Sequence, residues 1–295
     1  MDISIVITTY NRKTGVDRLL DAFADQDGND FQVVVAIDGS TDGTAAMLAA
    51  KQVPFDLKWV DTHCSEYGLA VARNRGILAA DGKAVAILDD DSFPEPGYVA
   101  AHRASAMSGV ITGGLRRPSD AQTAPYMAWK ADELAKLPPL TPMSIPELRR
   151  THPNAYLIEN NICLLREDWI AMGLFSERLK LYGFIGQEFF ARAEYLGLKY
   201  QLNPDATVSH RGEMEGDNGL MRSKKNRQIM VSQLVRPSLM KPTHYRAQIA
   251  WAKAMAAGEP EPPMPGFKLQ AGLSIPYRLA RSALLRTRKA LRGGA

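Results

Sequence analysis

Three consecutive carboxylates, Asp89-Asp90-Asp91, close the apolar run Ala86-Ile87-Leu88. Carboxylates crowded in this way repel one another and favour protonation unless a cation lies among them. An all-oxygen donor set suits a hard divalent ion, Mg²⁺ or Mn²⁺. A solvated acidic turn at a strand end is the bland alternative. Asp38 raises the same question. It follows an apolar run and opens Asp38-Gly39-Ser40-Thr41-Asp42-Gly43, which is ordinary turn and N-cap chemistry before a helix. The carboxyl end of a strand is also where open α/β sheets bind ligands.

The elements that must position these acids are legible in the first ninety residues. Positions 3–8 are β-branched and almost continuously apolar, the pattern of a buried parallel strand. Further strands are expected at 31–37, 57–60 and 84–88, alternating with helices at 16–24, 44–51 and 69–79. The order β-α-β-α-β-α-β implies a parallel sheet with crossover helices. There is no Gly-x-Gly-x-x-Gly after the first strand and no Gly-Lys-Ser/Thr, so a dinucleotide oxidoreductase and a P-loop hydrolase lose ground.

The chain has 295 residues, 45% of them apolar, and a formal charge of +4. That suffices for one large α/β domain or two smaller ones. The balance gives no ground for a nucleic-acid partner. The start reads directly into a strand, so no signal peptide is expected, and no stretch of about 18 apolar residues suggests a spanning helix. Cys64 and Cys163 are expected as buried thiols in a reducing cytoplasm.

Four blocks resemble the family 2 glycosyltransferases, whose GT-A fold is a nucleotide-sugar-binding α/β domain. They are Val6 to Arg12, Ile37 to Thr44, Ala72 to Gly76, and Leu88 to Asp91 with Pro96, in the family's order over about residues 3–215. The resemblance implies that Thr8 and Tyr10 line the base pocket, with the ring against the nucleobase. Asp38 would accept the base's ring N–H, favouring uracil, thymine or guanine. Ile37 replaces the first of the family's two acids here. Arg12 and Arg73, inside the same blocks, join the donor side. Asp91 matches the metal ligand of an Asp-x-Asp element, and Asp89 faces the ribose or a metal-bound water. Asp90 is counted with the donor side, pointing into the sheet or to solvent, and is the acid expected to be dispensable.

In the second half, a strand is expected at 110–112, then a Pro-rich excursion over 116–151 with a helix near 126–137. Tyr126 and Trp129 there would stack on an acceptor sugar or, more simply, pack in the core. Positions 159–166 resemble the family's strand carrying an Asn near the donor sugar. Around 183–192 the family places a Glu-Asp pair whose Asp is the general base. Anchored on Gly183, Glu188 is that base. Anchored on Arg192, Glu188 matches the second acid of the element and Gly186 falls at the base position. The first alignment keeps a carboxylate in the pocket and is adopted; capping of its own helix is the alternative role for Glu188. His210 ends the closing strand 203–210, where the family's His often joins the metal shell; a packed or surface role is equally open.

The domain organisation expected is a glycosyltransferase domain over 1–230, with a donor half to about 115 and an acceptor half beyond. A helical extension over 231–258 is interrupted at Pro237 and Pro242. A Pro-rich linker follows over 259–267, then a tail over 268–295 with seven Lys or Arg and no acid. The tail projects as a basic amphipathic helix suited to anionic lipid, or else as a disordered basic segment. Residues 211–226 read as a lid over the diphosphate or as a solvated loop.

Together these imply an inverting, metal-assisted transfer of a sugar from a UDP-, dTDP- or GDP-sugar to a glycan or lipid-linked glycan in cell-surface polysaccharide synthesis. The place would be the cytoplasmic face of the plasma membrane. A single displacement follows because the resemblance supplies no covalent nucleophile. A nucleotidyltransferase would need a basic triphosphate loop after the first strand, and Thr8 to Arg12 supplies none. A sugar-nucleotide or glycan-binding protein with a degenerate site is the alternative reading, supported by the substitution at Gln187-Glu188.

Overall fold

The computed structural model describes residues 1–65, 68–118, 125–153, 157–179, 184–210 and 239–264. The expected alternation is present: β1 (Ile3–Thr9), α1 (Lys13–Ala24), β2 (Gln32–Ile37), α2 (Thr44–Ala50), β3 (Asp56–Asp61), α3 (Leu69–Ala79) and β4 (Ala84–Asp89). These four strands run parallel in the order β3-β2-β1-β4. Thr9 lies opposite Ile37, and Thr8 opposite Asp89. The carboxyl ends of β1, β2 and β4 therefore meet at one edge.

Side-chain alternation along these strands divides the core. Ile5, Ile7, Val33, Val35, Ala86 and Leu88 face the side covered by α1 and by α4 (Tyr98–Ser105). Val6, Val34, Ala36, Val85 and Ile87 face the side covered by α3. Every residue of β1 is buried, and each Val or Ile so placed contributes about 1.5–3 kcal/mol. On α3, Gly76 lets the helix lie against the sheet, since a Cβ there would stand 2.3 Å from Val6 Cγ1.

Beyond β4 the sheet becomes mixed. The remaining elements are β5 (Ser92–Pro94), β6 (Val110–Pro118), α5 (Pro125–Ala135), β7 (Met143–Ser144), α6 (Ile145–Thr151), β8 (Asn161–Leu165), α7 (Arg166–Met172), α8 (Ile185–Tyr195), β9 (Lys199–His210) and α9 (Pro242–Ala257). β8 pairs antiparallel with both β4 and β6, and β9 joins β6 to β5. The sheet reads β3-β2-β1-β4-β8-β6-β9-β5, with β7 on β9. Within the Pro-rich excursion, α6 forms because Ser144 accepts from the Glu147 N–H at 3.3 Å, and Pro146 sits in the first turn, where no helical N–H bond is lost. Trp129 is 48% exposed, so core packing is not its role.

Pro242 opens α9 instead of interrupting it. The helix is no loose extension. Trp251 and Ala252 join the α3-side core, and Gln248 Nε2 donates to the carbonyls of Gly173 (2.9 Å) and Phe175 (3.2 Å). Among the described residues no helix is long and apolar enough to cross a membrane. The expected lid, the positions 231–238, the end of the Pro-rich linker, the basic tail and the Tyr126 side chain lie outside the described residues.

Candidate active site

Two loops at the parallel strand ends are tied to each other. Asn11, in a left-handed conformation, donates its N–H to Ser40 Oγ and accepts from the Thr41 N–H; Asp42 Oδ2 takes the Lys13 N–H. Asp38 N–H bonds Thr9 O at 2.8 Å, which puts Asp38 beside the end of β1. Thr8 is buried, and Tyr10 next to it is 59% exposed, an aromatic face turned to solvent. Asp38 is 6% exposed; Oδ2 accepts from Gly68 N–H, and Oδ1 is buried with no hydrogen-bond partner among the described residues. Burial pushes the Asp38 carboxyl upward, with the Gly68 N–H pulling against it and the Asp61 charge adding to the rise. Gly68 is the residue that closes this pocket, because a Cβ there would lie 2.3 Å from Asp38 Oδ1.

The three acids after β4 separate into three roles. Asp91 and His210, which are 119 positions apart, meet at 3.2 Å (Oδ2 to Nε2) because β5 pairs antiparallel with the end of β9. Arg12 lies 3.8 Å from Asp91, and Arg116, from the end of β6, lies 3.7 Å from it. Burial raises the Asp91 carboxyl, but the hydrogen bond and charge of His210, with Arg116 and Arg12, outweigh it and hold the group low. Asp90 points inward. Burial pushes it up to about 6 against the pull of Arg12, whose Nη1 lies 3.1 Å from Oδ1. Asp89 accepts from Arg73 Nη2 (2.8 Å) and Asn160 Nδ2 (2.9 Å). Among the described residues no group of three or more His, Cys, Asp or Glu could hold an ion. Asp91 and His210 offer one oxygen and one nitrogen, a set that fits a divalent ion whose other ligands are substrate phosphates and water.

Helix α3 carries Arg73, Asn74 and Arg75 in succession, and they fan apart. Arg73, 2% exposed and with its guanidinium 5.1 Å from the Phe175 ring centroid, reaches Asp89 and, at 3.4 Å, Glu159. Asn74 bonds the Phe175 backbone in both directions, and Arg75 meets Glu177 at 3.0 Å. The Phe175 to Leu179 segment is thereby pinned to α3.

Glu188 is not in the cleft, which corrects its placement as a base. It is 2% exposed, and both its oxygens are taken by Arg192, from Nε at 2.9 Å and Nη2 at 3.0 Å. Arg192 also donates to the carbonyls of Met172 and Leu174, so the pair is part of the core. The alignment anchored on Arg192 is the one this geometry favours. Gly186 then faces a pocket of about 740 Å³ lined by Glu159, Gln187, Phe190, Glu194, Arg149 and Met240 among others.

The structure thus brings Thr8, Tyr10, Arg12, Asp38, Arg73, Asp89, Asp90, Asp91 and His210 to one edge of the sheet and leaves Glu188 behind it. Asn160, bonded to Asp89, lies in the 159–166 stretch expected to carry an Asn near the donor sugar, whereas Arg116 and Glu159 are not among the expected site residues. Arg116 follows an expected strand that was ended too early, and extending it through Arg116-Arg117 would have flagged the basic pair.

A mixed α/β sheet of this order, with acids and arginines at its strand ends, is that of the GT-A glycosyltransferases. The chain belongs to the family described as "Glycosyl transferase family 2", whose pattern matches residues 4–156. It is 38% identical over 117 residues to a validoxylamine A glucosyltransferase of Streptomyces hygroscopicus subsp. jinggangensis, covering 38% of this chain and 28% of that protein. The chain thus matches little more than a quarter of that relative's length. Among solved structures, S. aureus TarS 1-349 in complex with UDP is similar at 20% identity and TM-score 0.56, over 71% of this chain and 60% of that one. The mannosyltransferase PcManGT of Pyrobaculum calidifontis, in complex with GDP-Man and Mn²⁺, is similar at 20% identity and TM-score 0.55, over 99% of this chain and 82% of the other.

Proposed function

We propose that the protein transfers a sugar, with inversion, from a nucleoside diphosphate to a hydroxyl of a glycan or lipid-linked glycan in cell-surface polysaccharide synthesis. One juxtaposition carries the reading: Asp38, whose Oδ1 has no hydrogen-bond partner among the described residues, lies beside the end of β1 that runs into exposed Tyr10, on the same sheet edge as the Asp91–His210 pair. A base with a ring N–H next to a carbonyl satisfies Asp38 Oδ1, as uracil, thymine and guanine do and adenine does not. Tyr10 stacks on the base, and Thr8 supports the same pocket. Arg12 and Arg116 meet the diphosphate, and Asp89, oriented by Arg73 and Asn160, accepts from ribose or sugar hydroxyls. Asp91 and His210 would hold Mn²⁺ or Mg²⁺, which offsets charge on the departing diphosphate. UDP and GDP-Man in similar structures, and Mn²⁺ in one of them, accord with this donor and cation class.

The expected outcome is a rise in unfolding temperature with one of UDP-, dTDP- or GDP-sugars in Mn²⁺, lost in EDTA. Ligand at a hundred times its Kd adds about 2.7 kcal/mol to the native state. Asp91→Asn should abolish the cation-dependent part; stabilisation of that variant equal to the unaltered protein would refute the ligand assignment. The burial of Glu188 is the observation favouring the alternative, a binding protein without turnover. Release of nucleoside diphosphate coupled to acceptor addition excludes that alternative.

A further inference from the structure

We propose that Glu159 is the general base, taking the place that Gly186 leaves empty on α8. The inference rests on the glycosyl-transfer reading above. Glu159 and Glu194 are the two carboxylates among the described residues lining the pocket. Glu194 is held by Arg149 at 2.7 Å and lies about 12 Å along α8 from Gly186 by the helical rise. Glu159 lies at the other end, bridged to the donor edge by Arg73, which contacts both Glu159 and Asp89.

Its carboxylate stands where a side chain on Gly186 would be. A Cβ built on Gly186 would be 2.1 Å from Glu159 Oε2 and 2.6 Å from its carboxyl carbon. One acid and one glycine thus share a space that two side chains cannot. Oε1 faces Arg73 while Oε2 faces α8, and the side chain is 26% exposed, open to an incoming hydroxyl. Rigid neighbours fix its position. Asn160 is bonded to Asp89, and Asn161 Nδ2 donates to the carbonyls of Leu115 and Ala206 at 2.9 and 3.0 Å. A base must be held within hydrogen-bond reach of the proton it takes, and this turn holds one between donor edge and pocket.

In the step, the acceptor O–H proton passes to a Glu159 oxygen. The oxygen lone pair forms the new bond to the anomeric carbon. The bond from that carbon to the diphosphate oxygen breaks, and its electron pair leaves with the nucleoside diphosphate. With water in the acceptor's place the same step is a hydrolysis of the donor, whose release of nucleoside diphosphate assays the role before the acceptor is known.

The test uses the full chain with Mn²⁺ and UDP-glucose, dTDP-glucose or GDP-mannose, whichever stabilises it most, and follows nucleoside diphosphate release. Glu159→Gln keeps an oxygen for Arg73 but removes the base. It should lose at least a hundredfold in kcat while its thermal stabilisation by donor and its KM for donor stay unchanged. The double variant E159A/G186D returns a carboxylate to the same space from α8 and should exceed E159A by about tenfold or more, a rescue no structural role would produce. An E159Q enzyme within fivefold of the unaltered rate, an E159Q enzyme that loses donor stabilisation together with turnover, or a folded double variant no faster than E159A would overturn the assignment. Failure of the unaltered protein to bind or turn over any of the three donors would instead overturn the glycosyl-transfer reading itself.

Discussion

Glu188 and Arg192 form a buried ion pair four residues apart on one helix, and removing one partner leaves the other charge in the core. Glu188→Ala should therefore cost about 3 kcal/mol or more, measured by chemical denaturation. A cost under about 1 kcal/mol would place Glu188 outside the core after all. The i,i+4 spacing of these two residues was readable as an ion pair, and Gly186 as the missing acid. Thr8, Asp38 and the Asp89-Asp90-Asp91 run were legible because each sits at the end of an apolar strand. Glu159 was not, because its place depends on β8 inserting antiparallel between β4 and β6, a pairing that spans about eighty positions and leaves no local periodicity. Asp90 also departs from expectation. Its inward orientation against Arg12 gives it a part in positioning that guanidinium beside Asp91, so the dispensability expected of it does not follow from the geometry.

Helix α3 ties the sheet to the site, and Gly76 sets their separation. Gly76→Ala should push α3 off Val6, costing about 1–3 kcal/mol of stability, and should move Arg73 away from Asp89 and Glu159. Turnover falling no more than stability alone explains would argue against that coupling. Helix α4 carries a different constraint. His102 is fully buried, its Nε2 lying 2.9 Å from Asn161 Oδ1, and burial pushes its pKa down to about 4. Asn161 spends its amide protons on two carbonyls, so His102 is the donor and is neutral. Its unfolded pKa is near 6.5, so between pH 6.5 and 4 the unfolded chain binds the extra proton. Its contribution, up to about 3 kcal/mol, is complete above that window and lost as pH falls through it. Denaturation midpoints at pH 7 and 4.5 should differ by less in His102→Gln. The parallel half of the sheet was legible because long, fully apolar strands alternate with amphipathic helices. The rest was not: β5 and β7 are three and two residues long, and α6 is hidden in a Pro-rich run. Such pieces exist only through the partners that the fold brings to them.

At the scale of the whole molecule, the basic segment 268–295 is the feature through which we propose a peripheral membrane location. Deleting it should abolish flotation with vesicles containing anionic lipid, and flotation unchanged by the deletion would refute the proposal. Donor turnover in solution should persist, because the described site residues all precede position 268. Helix α9 stands in contrast to that segment. Its Trp251 and Ala252 complete a core that Val6 of β1 also joins, and its Gln248 bonds the Gly173 carbonyl at the end of α7. During synthesis, the strands that build the donor edge emerge first, yet the core that Trp251 and Ala252 join stays incomplete until α9 has left the ribosome. Synthesis therefore includes a stage in which β1, β2 and β4 have emerged while that core is still open to chaperones and to aggregation.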